Sequence, residues 1–173
     1  MAAGASFAGE PPHIAVSILP QKGVVGRLVG DRVIIDVLLP PGASPATFEP
    51  TPRQMAHLTG AIAFISIGAP FEPAVVPRIA EQNPDLVIVD SASQVTKRRM
   101  SEASGHHHHS AWDPHVWLDP IRMKTITTTT ARALQELMPS SRDVIEERLQ
   151  KSIRLLDQQH ERVSEILAGF EGR

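Results

Sequence analysis

The side chains in this sequence best suited to chemistry are histidines. His115 lies in the segment Asp113-Pro-His-Val-Trp-Leu-Asp-Pro120, between two prolines and just before a helix start. Prolines narrow the backbone conformations of their neighbours, so an imidazole placed there is pre-positioned. A neutral imidazole ligates zinc and its neighbours in the first transition row, and a carboxylate behind it fixes the ring. Asp113 and Asp119 are both placed to do this, although capping the following helix is the expected role of Asp119. Four consecutive histidines, His106, His107, His108 and His109, add a low-specificity tract in a polar loop. Such a tract captures Zn2+, Ni2+ or Cu2+ in variable geometry. Glu49 and Glu72 follow the second and third predicted strands, at the sheet edge where open α/β folds bind ligands, and could add oxygen ligands. His13, His57 and His160 are read as packing or solvent-exposed residues.

Other chemistries find little support. The chain has no cysteine, so disulfides, thiolate metal sites and thiol nucleophiles are all excluded, and any metal must be held by nitrogen and oxygen. Neither a glycine-rich phosphate loop after the first strand nor a Gly-x-Ser-x-Gly elbow is present, and no paired carboxylates lie close in sequence. The expectation is therefore a binding protein and not an enzyme. With 17 basic and 19 acidic side chains, the formal charge of −2 provides no basic stripe for nucleic acid. No apolar run approaches the roughly 20 residues of a membrane-spanning helix, and Met1 to Glu10 lacks the pattern of a signal peptide.

The elements that must position these residues can be read from periodicity. Ile14–Leu19, Val33–Leu39, Ala61–Ile67 and Leu86–Val89 are short, apolar and rich in β-branched residues, which predicts strands covered on both faces. Between them lie helical segments: Gly23–Val29, Pro52–Thr59 capped by Thr51, and Pro73–Gln82 with Pro73 in its first turn. The alternation predicts right-handed βαβ crossovers and a four-stranded parallel sheet flanked by helices, an α/β fold. Residues 91–114, containing the histidine tract, read as a long polar loop.

Two helices follow. The first begins at Pro120 behind Asp119 and runs through four threonines to about Leu137. The second starts at Ser140, paired with Asp143 in a capping-box pattern, and continues to about Ala168. At 1.5 Å per residue the second spans about 42 Å, more than the ~30 Å width of a small domain, so part of it should project. Its stripe of Ile145, Leu149, Ile153, Leu156, Val163 and Ile166 requires a covering surface.

Several of these segments together resemble a known family. They are Ile14-Ala-Val-Ser-Ile-Leu-Pro20, Gly30-Asp-Arg32, Leu39-Pro-Pro-Gly-Ala-Ser-Pro45, Phe48-Glu-Pro-Thr-Pro52, Gly68-Ala-Pro-Phe-Glu72 and Asp113-Pro-His-Val-Trp-Leu-Asp-Pro120. In this order they resemble the metal-specific, zinc- or manganese-binding solute-binding proteins of ABC transporters, cluster A-I. The resemblance implies two α/β lobes joined by a long rigid helix, with metal held between the lobes by histidines and a carboxylate. It places His115 on the family's second histidine ligand and His106–His109 where zinc-specific members often carry a histidine-rich loop, which favours zinc over manganese. It also implies a histidine shortly after Ser44-Pro45, where this sequence has Ala46.

The resulting organisation is a flexible amino terminus over 1–13, an α/β metal-binding lobe over 14–138 and a connecting helix over 139–173, with a second lobe absent. Expected partners are a metal ion, an ABC permease in a periplasmic or extracytoplasmic setting, and further copies of the chain. The metal site is expected to be incomplete or altered. The alternative is a truncated lobe that acts as a self-assembling structural module.

Overall fold

The computed structural model describes residues 11–99 and 112–170 of the chain. Strands β1 (His13–Val16), β2 (Ile34–Val37), β3 (Ala61–Ser66) and β4 (Val87–Asp90) form one parallel sheet in the order β2-β1-β3-β4. Helices α1 (Leu19–Val29), α2 (Pro52–Leu58) and α3 (Glu72–Gln82) make the crossovers, and α4 (Pro120–Leu137) and α5 (Arg142–Leu167) follow. The α/β expectation is met, with a long carboxy-terminal helix.

Side-chain alternation along the strands builds two cores, as a period of two requires. Ile14, Val16, Ala63 and Ile65 face one side, where they pack with Val25 and Leu28 of α1, Leu134 of α4 and Ile145 of α5. Ala15 and Phe64 face the other, with Met55 of α2, Val75 and Ile79 of α3, and Val116. The central strands β1 and β3 are thus covered on both faces, as their sequences predict. The edge strand β4 is not: Val87 and Ile88 stay 43% and 37% exposed, because an edge position leaves them beyond the helical layers.

Two helix starts also differ from expectation. The first strand ends at Val16, and Leu19, read as strand from its composition, opens α1 with Pro20 in the first turn. Ser140 does not form a capping box with Asp143. A 3-10 turn over Pro139–Ser141 intervenes, and Ser141 at the cap of α5 makes no side-chain capping bond. Thr51 does cap α2, accepting from the Gln54 amide, and Asp119 caps α4, accepting from the Ile121 and Arg122 amides.

The reversal between β1 and β3 is the switch point at which open α/β sheets leave a crevice. Here Gln21 fills it. Its side chain is 2% exposed, its Nε2 donates to the carbonyls of Ile65 (3.0 Å) and Ser66 (3.1 Å), and its Oε1 accepts from the Ile18 amide (3.1 Å). Ser91, next to β4, joins the network by donating from its hydroxyl to the Ser66 carbonyl at 2.6 Å. The strand ends are thereby tied together beneath the loops that carry the candidate ligands.

Helix α5 packs antiparallel to α4 over its first half and is pinned by two cations. Lys124 Nζ of α4 lies 2.6 Å from Asp157 Oδ1. Arg148 donates to the Leu28 carbonyl at the end of α1 (3.3 Å), and its guanidinium lies against Gly30, where a Cβ would stand 2.9 Å from Nη1. Gly30 has φ +64°, so the glycine serves both a left-handed turn and this close approach. Beyond Asp157 the helix is exposed and projects, as its length predicts.

Gln21→Leu should destabilise the fold by roughly 1–3 kcal/mol in urea unfolding, because the Ile18 amide is left buried without its acceptor. The Ile65 and Ser66 carbonyls keep their other donors, Ser17 and Ser91.

Candidate metal centre

The loops at the carboxyl ends of the strands carry the predicted ligands. His115 follows Pro114 and precedes a 3-10 turn over Val116–Leu118, which leads into α4. Val116 is buried and anchors the turn to the core, while the His115 side chain remains 56% exposed. The Trp117 ring lies 5.3 Å from the imidazole, inclined at 60°.

Asp113 is the residue that orients His115. Its Oδ1 accepts from the His115 amide at 2.9 Å and lies 2.8 Å from His115 Nδ1. Both contacts favour the charged carboxylate, with the backbone bond the larger influence, so the Asp113 carboxyl is held below its ordinary value of 3.8. An ionised carboxylate can only accept, so the proton of the bond sits on Nδ1. In the neutral ring Nε2 then carries a free lone pair, the form a metal requires. Of the two aspartates in the motif, Asp113 orients the ring and Asp119 caps the helix.

The other candidates are placed differently. Glu49 is exposed in the loop between β2 and α2. Glu72 stands at the strand-end edge as expected, but it opens α3 and is 5% exposed. Its two oxygens accept from the Ile67 (2.9 Å) and Gly68 (2.7 Å) amides, which makes it a brace for the turn after β3. His106, His107, His108 and His109 lie outside the described residues. Among the described residues no three acidic or histidine side chains converge on a common point, so His115, Glu49 and Glu72 are not gathered into one cluster. Ala46 is exposed in the loop after β2.

The remaining histidines do not join His115. His13 Nδ1 is 3.1 Å from Asp36 Oδ2 across β1 and β2. His57 lines an open groove of about 280 Å³ with Asp36, Thr51, Arg53 and Gln54. His160 is exposed on the projecting part of α5. Sequence reasoning missed Gln21, whose signal is an amide side chain directly after Pro20 at the strand-to-helix junction. It also missed the pairing of Arg99 with Trp112, residues too far apart in sequence for local pattern to connect them.

Asp113→Ala should weaken metal binding at His115 by roughly 10- to 100-fold, the usual effect of removing a carboxylate behind a ligating histidine. Because both side chains are on the surface, the melting temperature should hardly change, and calorimetric titration with thermal denaturation separates the two effects.

Known proteins bear on this arrangement. The family model described as zinc-uptake complex component A, periplasmic, matches residues 14–173. The high-affinity zinc uptake system protein ZnuA of Yersinia pestis is 24% identical over 200 residues, covering 100% of this chain and 63% of that protein. ZnuA of Bacillus subtilis is 26% identical over 139 residues, covering 74% of this chain and 43% of that protein. Among solved structures, a crystal structure of ZnuA superimposes with a TM-score of 0.81 at 34% identity, covering 91% of this chain and 59% of that one. A zinc-bound ZnuA deletion mutant gives 0.83 at 33% identity, covering 92% and 59%. The chain thus spans about half the length of these relatives. Among the described residues no helix is long and apolar enough to cross a membrane. The match over residues 14–173, on a sheet and long helix shared with solved ZnuA structures, makes this chain a member of the periplasmic zinc-uptake component A family, a family of solute-binding proteins and not of enzymes.

Proposed function

We propose that this chain is a metal-binding lobe with its connecting helix, that zinc is its cargo, and that His115 is a direct ligand. The observation that carries the reading is the Asp113–His115 bond, which leaves Nε2 as the lone-pair donor. Imidazole suits zinc better than the harder manganese ion, and the ZnuA relatives are named for zinc uptake. Membership of a periplasmic uptake family supports an extracytoplasmic location and delivery to an ABC permease.

The site is incomplete at the positions that can be matched. Ala46 stands where the resemblance places a histidine, and a methyl group has no lone pair to donate. A tetrahedral zinc site needs further ligands beyond His115. The His106–His109 tract and residues outside the matched half of the relatives are the two sources this reading allows. Zinc titration of the chain should show a site weakened roughly tenfold or more by His115→Ala, and a further loss on replacing His106–His109 by serine identifies the tract as a source of the remaining ligands. Binding that disappears with the tract alone and ignores His115 would contradict the assignment.

A second reading, self-association, rests on the projecting half of α5 and the 3-10 turn Ala168–Phe170 that follows it. Val163, Ile166, Leu167 and Phe170 are 42%, 61%, 55% and 60% exposed, an apolar stripe with no covering surface among the described residues. On this reading the chain forms a two-fold dimer through the stripe, and Ile166→Glu makes it monomeric in sedimentation velocity. A parent chain that is already monomeric across micromolar concentrations would remove it.

A further inference from the structure

The two ends of segment 100–111 are joined by a clasp whose position suggests a purpose. Arg99 and Trp112 form an isolated antiparallel bridge, and the guanidinium carbon of Arg99 lies 5.5 Å from the Trp112 ring centroid. The Arg98 carbonyl accepts from the Asp113 amide at 2.8 Å. Asp113 then holds both the backbone and the ring of His115. The contacts run in an unbroken line from Arg99 and Trp112, through the backbone of Asp113, to the imidazole.

The clasp contributes little to the core. Arg99 is exposed and Trp112 remains 44% exposed, and neither belongs to the two packed cores. An exposed cation–π pair is a modest contact. Its geometry, however, bears on the one backbone amide whose placement determines where the Asp113 carboxylate stands. A carboxylate attached to a wandering backbone would let the ring sample both tautomers and many orientations. That freedom would have to be lost when a metal binds.

We propose that the Arg99–Trp112 clasp is a positioning device for the metal ligand, acting through Asp113 to hold His115 in its Nδ1–H tautomer with Nε2 outward. The inference rests on the reading of His115 as a ligand, while its effect on the ring is independent of metal. Trp112 and Arg99 do not touch the metal in this account. They act through Asp113, and the chain of effects can be cut at that residue.

The test uses the full chain with Arg99→Gln, Trp112→Ala, Trp112→Phe, Asp113→Ala and the Trp112→Ala/Asp113→Ala pair. Long-range proton–nitrogen correlation spectra of the metal-free proteins report the His115 tautomer, assigned by its loss in His115→Ala. The parent should show the Nδ1–H form, Arg99→Gln and Trp112→Ala a mixture, and Trp112→Phe recovery of the parent pattern. Zinc affinity should fall roughly two- to five-fold in Arg99→Gln, the scale of an exposed cation–π contact. Trp112→Ala should weaken zinc in the parent but add nothing in the Asp113→Ala background, with melting temperatures unchanged throughout. An unaltered tautomer in Trp112→Ala, or a loss that adds to that of Asp113→Ala, would overturn the proposal. If the tautomer responds to Trp112→Ala but zinc leaves the His115 signals unmoved, the clasp stands and the metal reading falls.

Discussion

A parallel sheet delivers every strand to the same edge, and that constraint decides where this protein can do chemistry. The loops after β2, β3 and β4 open on one side, and the candidate ligands lie among them. The crevice that such an edge normally offers to a ligand, between β1 and β3, is closed by the buried amide of Gln21. His115 lies away from it, in the loop just before the 3-10 turn that leads into α4. A side chain on a loop lacks the rigidity of one on a strand, and at His115 local contacts restore it through Pro114, the 3-10 turn anchored by Val116, and the Asp113 carboxylate.

The fold was largely legible because its signals are local. Short β-branched runs separated by helical segments can satisfy their backbone and bury their apolar faces in few ways, and a parallel sheet is one of them. Thr51 and Asp119 announced their capping roles through residue type and the following proline. The failures have equally physical causes. Leu19 is apolar and follows a strand, but Pro20 starts a helix there. The exposure of β4 depends on strand order, which composition does not encode. The Ser140–Asp143 pattern suited a cap, yet Pro139 opened a 3-10 turn instead.

At the candidate site the motif around His115 pointed to a ligand, and the division of labour between Asp113 and Asp119 emerged only from distances. Glu72 illustrates the limit of placing residues by edge alone. It stands at the expected edge, but its carboxylate faces inward to two backbone amides. The pairing of Arg99 with Trp112 joins residues 13 positions apart, a separation that carries no sequence signature. The long helix was legible by length and stripe, whereas its anchoring by Arg148 against Gly30 required the fold.

The proposed metal donor is one atom, His115 Nε2. A crystal structure of the zinc-loaded chain with anomalous data at the zinc edge tests this directly. The expected result is a zinc peak about 2.0–2.1 Å from Nε2, with Nδ1 still bonded to Asp113. Zinc bound through Nδ1, or bound elsewhere with His115 unliganded, would contradict it.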